Sequence, residues 1–188
     1  KQAALAGPIT RGLSGEAHKE TAIGLLPESW SVIPLGALGR IDNGSTPKGT
    51  IPAYWAACTF PWQTNAKVYD RNIRSADQFV TPTALTECHL PKLQLGAVVM
   101  AITGQGKTLG HCAVFKIECT VSQHVAYRQA DLAKANPGFV HGNLETQYDY
   151  LRQVGAGGST KGALACAFLR SLPIPLSAVA EQDEIVAI

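Results

Sequence analysis

Apolar positions in this chain gather in short runs broken by turn-rich polar stretches, a pattern that predicts much β structure with a few short helices. Pro27–Trp30 and Val32–Leu38 open the globular part. Pro61–Thr64, Ala97–Ile102, Cys112–Ile117 and Thr120–Tyr127 read as strands, rich in Val, Ile and aromatic residues. Thr81–Leu85 predicts a short helix, with Thr81 as cap and Pro82 at the first position. Leu144–Val154 reads as a helix with Leu144, Tyr148 and Leu151 on one face, and Ala163–Leu169 as a shorter one. Lys1–Ala6 reads as the last turns of a helix stopped by Gly7–Pro8, and Ala180–Ile188 as a helix whose apolar Ile185, Val186 and Ile188 need a partner beyond the chain. Arg11–Gly24 is polar and without period, a linker. Asp42–Gly49 is a long polar loop, and Pro173–Pro175 a rigid extended stop.

The stretch Gly96–Gly110 invites a nucleotide-binding interpretation, because Ala101, four residues, then Gly106–Lys107–Thr108 satisfies the relaxed phosphate-loop pattern. Such a loop must open a helix, whose N-terminal amides hold the phosphates. Here Val114, Phe115 and Ile117 come next and prefer strand, so the segment reads strand–loop–strand. A P-loop-like enzyme using Lys107 and Thr108 is therefore the second reading. A Gly-rich, Lys-tipped loop between strands suits close approach to a nucleic acid. A purely structural module is the third.

Composition excludes several classes. The 188 residues suffice for one sizeable core, 46% are hydrophobic and 16% charged, and no apolar run approaches a membrane span. The only methionine is Met100, so a fragment or a trimmed N-terminus is expected. The five cysteines (Cys58, Cys88, Cys112, Cys119, Cys166) lack CxxC spacing and fit a reducing cytoplasm. His111, Cys112, Cys119 and His124 match no common zinc spacing and read as structural residues. Trp30, Trp55 and Trp62 read as core. Net charge is only +2, but Arg40, Lys48, Lys67, Arg71 and Arg74 gather in the middle while Glu181, Asp183 and Glu184 make the end acidic, which suits two different partners.

Taken together, the segments Leu26–Gly49, Pro61–Trp62, Thr103–Phe115, Thr120–Tyr127, Gly158–Leu176 and Ala180–Ile188 resemble the DNA-specificity subunit of type I restriction–modification systems, in the expected order along nearly the whole chain. The final GSTKG…LPIPL…EQDEIVAI run carries most of that specificity. Ser177–Ala178–Val179 departs from the Pro-rich continuation of the family. The resemblance implies an α+β fold: a mainly antiparallel twisted sheet or partial barrel with short helices. It also implies three parts: the end of a spacer helix and a linker (1–24), a target recognition domain (25–176) and the start of a distal spacer helix (177–188).

The same resemblance implies a non-catalytic, cytoplasmic component with no cofactor and no metal. It would read one half of a bipartite site in double-stranded DNA and position methyltransferase (modification) and restriction (endonuclease/translocase) subunits, where the chemistry resides. Phosphate contacts supply affinity and base-edge contacts specificity. The candidates for DNA contact are Gly44, Ser45, Thr46 and Lys48 in the first polar loop and Thr64, Lys67, Arg71 and Arg74 in the basic middle. Thr103, Gln105, Lys107 and Gln123 come next, around the Gly-rich loop, and Ser159, Thr160 and Lys161 lie in the last polar loop. Lys48, Lys107 and Lys161 suit phosphates; Arg71, Arg74, Gln105 and Gln123 suit bases.

Overall fold

The protein is described by a computed structural model covering residues 2–104, 107–129, 131–157 and 162–188, with the backbone alone for 2–6. Along the chain come helix α1 (Gln2–Arg11) and strands β1 (His18–Thr21), β2 (Gly24–Pro27), β3 (Ser31–Pro34), β4 (Ile41–Asn43), β5 (Phe60–Gln63), β6 (Asn72–Ile73) and β7 (Gln78–Val80). Helix α2 (Pro82–Glu87) precedes β8 (Val98–Ala101), β9 (Cys112–Phe115), β10 (Thr120–Val121) and β11 (Val125–Arg128). Helices α3 (Pro137–Thr146), α4 (Tyr148–Gly157) and α5 (Cys166–Ser171), strand β12 (Pro173–Leu176) and helix α6 (Val179–Ala187) complete it. Short 3-10 turns lie at Leu35–Leu38, Pro52–Tyr54 and Asn65–Asp70.

The main sheet has the order β4-β11-β8-β9-β6, antiparallel except where β6 runs parallel to β9. A second sheet, β10-β5-β7, lies beside it, and β1–β2 and β12–β3 form antiparallel pairs. This is the α+β, mainly antiparallel architecture that the sequence implied, with open sheets rather than a closed barrel.

Burial on both faces explains why β8, β9 and β11 read as continuous apolar runs. In β8, Val98 and Met100 point into a core completed by Leu144, Leu151 and Leu169 from the helices. Val99, of opposite parity, packs with Ala113, Phe115, Val121 and Tyr127 on the other face. Cys112 and Cys119 are small buried residues of these two cores. A third cluster joins Ile9, Leu26, Trp30, Phe139 and Ile185, so Ile185 of α6 finds an apolar partner within the chain, Val186 packs at its margin and Ile188 stays exposed. Trp30 meets Phe139 edge-on at 5.6 Å and donates its Nε1–H to Glu181 (2.9 Å). The fully buried Gln182 accepts from the Asn136 backbone N–H (2.8 Å) and donates to the Ser177 carbonyl (2.7 Å), which pins α6 to the start of α3.

Several elements differ from the sequence reading, each through tertiary context. Helix α1 continues through Gly7–Pro8 to Arg11. Pro8 forfeits one backbone bond, but Ile9 beyond it is buried against α3, and the turn is closed at Gly12, whose φ of 67° is the left-handed stop. The expected linker 11–24 holds β1 and reaches the start of β2; the carboxylate of Glu16 ties its base by accepting from the Ser29 N–H (2.9 Å) and hydroxyl (2.7 Å). The helix expected at Leu144–Val154 is two helices, α3 starting at the Asn136 cap, whose Oδ1 accepts from Gly138 N–H (2.7 Å). The helix expected at Ala163–Leu169 is α5, shifted towards its C-terminal side, and the proline stop is strand β12, paired with β3. The Thr81 cap on α2 is as expected, its hydroxyl accepting from Ala84 N–H (3.1 Å).

Helix α3 also buries a titratable group. His141, only 5% exposed, donates Nε2–H to the Cys112 carbonyl (3.1 Å). Its Nδ1 lies 3.7 Å from the Glu145 carboxylate, which is already held by Arg71 at 2.8 Å. Burial dominates and pushes the His141 pKa down from 6.5 to about 4. The unfolded chain therefore takes up a proton that the folded chain refuses between those values. Stability from this group is complete above pH 6.5 and is lost towards pH 4, a change on the order of 3 kcal/mol. Burial pushes the Glu145 carboxyl up, which acts in the opposite direction, so the histidine's share is isolated by comparison. Urea unfolding at pH 7 and pH 4.5 is expected to show a larger acid loss in the wild type than in His141→Gln; equal losses would contradict a neutral buried histidine.

Candidate nucleic-acid interface

Strand register brings the loops of interest to one end of the main sheet. Ala126 pairs with Asn43 and Val125 with Ala101, while Met100 pairs with Cys112. The ends of β4 and β8 and the starts of β9 and β11 therefore lie side by side. The second sheet adds to the same end, because Gln63 at the end of β5 pairs with Val121 at the end of β10. Segments 44–48, 64–65, 102–104, 107–111 and 122–124 all lie at or leave from there. Residues 162–163 join them, since Ala163 bridges to Thr103.

Backbone contacts fix the first loop. Gly44 N–H donates to the Val125 carbonyl (3.3 Å) and Ser45 N–H to that of Val121 (3.2 Å). The Ser45 carbonyl accepts from Trp62 Nε1–H (3.2 Å) and the Lys48 carbonyl from Trp55 Nε1–H (3.1 Å), the two indoles meeting edge-on at 5.6 Å. Trp62 is core as expected, Trp55 only half-buried. Thr46 and Lys48 are left exposed. Gly44 acts through close packing: a Cβ there would stand 1.8 Å from the Val121 carbonyl oxygen.

The hairpin between β8 and β9 is propped from the helical side. Tyr148 hydroxyl donates to the Lys107 carbonyl (2.5 Å), and Tyr69 and Thr108 share a hydroxyl–hydroxyl bond of 3.0 Å. His111 packs between Tyr69 and Tyr148 with tilted ring planes, at centroid distances of 4.8 and 4.4 Å. Burial, helped by nearby Arg152, holds its pKa below the usual histidine value. The Lys107 side chain is exposed. Gly110 N–H donates to Ala101 O (2.9 Å), and the chain enters strand β9 with no helix. That strand–turn–strand geometry, with the Thr108 hydroxyl engaged by Tyr69, overturns the phosphate-loop alternative.

The third segment is the β10–β11 turn. Its closure is Val125 N–H to Ser122 O (3.1 Å), and Ser122 N–H donates to Gln63 O (2.8 Å). Asn43 Nδ2–H reaches Gln123 O (3.4 Å) and Ile102 N–H reaches His124 O (3.0 Å). Gln123 and His124 project as exposed side chains, and Thr103 Oγ1 meets His124 Nδ1 at 2.8 Å. Asn65 Nδ2–H donates to the Thr103 carbonyl (3.2 Å). Asn65 and His124 are not among the sequence candidates; no local pattern marks them, since their bonds span 38 and 21 positions of chain.

Of the sequence candidates, Gly44, Ser45, Thr46, Lys48, Thr64, Thr103, Lys107 and Gln123 thus share this end. Lys67 lies just beyond Thr64, its ammonium held by Asp77 (3.0 Å) and Asp70 (3.4 Å), which raise its pKa. Arg71 is turned onto α3, where its guanidinium pairs with Glu145. Arg74 succeeds Ile73, whose carbonyl accepts from Lys116 N–H at the far end of β9 from the hairpin tip. Gln105, Ser159, Thr160 and Lys161 lie outside the described residues.

Residues 27–188 match the family described as "Type I restriction modification DNA specificity domain". The chain belongs to that family. Among relatives, it is 27% identical over 176 residues to the type I restriction enzyme MjaIX specificity subunit of Methanocaldococcus jannaschii, covering 90% of this chain and 39% of that subunit. In fold it resembles the HsdS subunit from Thermoanaerobacter tengcongensis, with a TM-score of 0.64 at 19% identity over 99% of this chain and 40% of that one. The type I restriction–modification S subunit from M. genitalium is similar, with a TM-score of 0.63 at 12% identity over 85% of this chain and 38% of that one. The chain thus spans about two-fifths of the length of these family members. Among the described residues, no helix is long and apolar enough to cross a membrane.

Gly44 gives this interface a stability test independent of any ligand. In Gly44→Ala the new methyl meets the Val121 backbone first, not the flexible end of a side chain, so either the Gly44–Ser45 loop or strand β10 must shift. A loss of about 1–3 kcal/mol is expected in chemical denaturation. By contrast, a methyl at Gly142 meets the Ile9 side chain, chiefly its terminal Cδ1, rather than backbone, so Gly142→Ala should cost less. The reverse ranking would contradict the backbone approach.

Proposed function

We propose that this chain is a non-catalytic DNA-reading domain of a type I restriction–modification specificity subunit, recognising one half of a bipartite duplex target. The observation that carries this reading is the convergence of four polar loops at one end of the main sheet, with Lys48, Lys107 and Gln123 exposed among them. Lysines on such loops suit phosphates, while a carboxamide on a tight turn suits a base edge. Family membership supports the same reading. Ser159, Thr160, Lys161 and Gln105 belong to the proposed contact set. Arg71 and Arg74 fit the set less well, because one is engaged by Glu145 and the other lies at the far end of β9.

In this reading, residues 25–176 form the recognition domain, and 1–24 and 177–188 belong to helical spacers that position modification and restriction subunits in the cytoplasm. The packing of α1 and α6 together on α3 supports a spacer role, because it joins the two ends of the domain to one helical layer. Catalysis belongs to those partners, and this chain contributes no cofactor chemistry.

The decisive experiment is methylation mapping in cells carrying an intact system in which this domain is exchanged for one from another family member. One half of the methylated motif is expected to change and the other to persist; an unchanged motif would remove the reading. For the phosphate role, Lys107→Ala in the intact subunit should weaken binding to duplexes of unrelated sequence alike. It should also reduce the slope of log affinity against log salt by about one unit. An unaltered slope excludes a Lys107–phosphate contact.

A further inference from the structure

We infer that Gln123 is the base-reading residue of the β10–β11 turn and that His124, Thr103 and Asn65 are positioning residues that hold it for the major-groove edge of an adenine. The inference rests on the DNA-reading function proposed above. It starts from a chain of polar contacts joining three loops. Asn65 Nδ2–H donates to the Thr103 carbonyl at 3.2 Å, Thr103 Oγ1 meets His124 Nδ1 at 2.8 Å, and His124 Nε2 lies 3.5 Å from Gln123 Nε2. One neutral tautomer satisfies every link. With its proton on Nδ1, the imidazole donates to the Thr103 hydroxyl and accepts at Nε2 from the Gln123 amide.

That arrangement leaves Gln123 with one free N–H donor and its carbonyl acceptor. A glutamine presenting this pair complements N7 and the N6 amino group of adenine, the bidentate match for that base. An exposed glutamine loses side-chain entropy on binding unless something holds it beforehand. Here the turn is fixed from four sides, by Gln63, Asn43, Ile102 and its own Ser122–Val125 closure, and the imidazole lies beside the amide, its Nε2 3.5 Å from the amide nitrogen. Structural duty alone does not account for the set, because the Gln123 and His124 side chains point outward at the end of the sheet where Lys48 and Lys107 stand.

The test uses the intact specificity subunit in cells with its partner modification subunits, reading the methylated motif genome-wide. Gln123→Ala is expected to relax one adenine-containing position of the half-site, with discrimination there falling roughly ten- to a hundredfold while the other positions persist. Gln123→Glu, which replaces the donor by an acceptor, should move preference at that position towards cytosine. Thr103→Val should relax the same position and Thr103→Ser should restore it, an effect on the motif that a merely structural role would not produce. An unchanged motif in Gln123→Ala, or a uniform loss of methylation at all sites in Gln123→Ala and Gln123→Glu alike, overturns the inference. If whole-domain exchange alters the motif while the Gln123 variants do not, only the assignment of Gln123 fails and the DNA-reading function stands.

Discussion

The register of β11 is the constraint on which the site depends. It lies between β4 and β8, with Ala126 opposite both Asn43 and Met100, and so sets the start of its own turn level with the ends of two other strands. A slip of one residue would turn Val125 and Tyr127 from one core to the other and carry Gln123 away from Thr103. Burial on both faces forbids it, since each strand of the central trio is closed by side chains of alternating parity. The loops are thus positioned by the apolar packing of the strands that carry them, with Leu109 of the hairpin itself reaching into the core. Gly44 completes the arrangement, letting the first loop lie against the Val121 carbonyl where any side chain would clash.

The same packing explains how the ends of the chain relate to the site. Ile9, Trp30, Phe139 and Ile185 form one cluster, and Gln182 and Glu181 supply its polar bonds. Helix α3 carries this cluster on one side and faces the main sheet through Val140 and Leu144 on the other. A load applied through α1 or α6 is therefore passed to a buried helix and from it to the sheet, without crossing the exposed loops. Under the proposed function, that separation would keep the reading geometry apart from the mechanical connections.

Much of this is legible in the sequence where local rules suffice. The Ala97–Ile102 and Cys112–Ile117 runs, the turn between them and the Thr81–Pro82 helix start come from apolar runs, β-branched residues and capping chemistry. Local rules fall short where distant packing decides. Strands β1 and β12 are held by partners rather than by pattern, and α1 passes through Pro8 because Ile9 has a buried seat on α3. The start of α3 does carry a local signal in Asn136–Pro137, a cap and a first-turn proline, but the apolar face of Leu144–Leu151 places the helix start too late. At the candidate interface, exposed lysines on Gly-rich loops can be named from residue types alone. The Asn65–Thr103–His124–Gln123 chain cannot, since it exists only once β5, β8 and β11 are aligned.

The phosphate-loop resemblance shows that a motif acquires its meaning from the element it leads into. The segment that would cradle phosphates at a helix start instead leads from β8 to β9, because Gly110 bonds back to Ala101 and the next residues are needed in β9. Helix α4 then meets the loop from the side, Tyr148 holding the Lys107 carbonyl and Leu109 filling the core beside Leu151. The lysine is thereby presented outward on a braced tip rather than inward over a nucleotide. Bracing suits contact with a stiff, regularly charged polymer, for which positional accuracy at each phosphate matters more than enclosure.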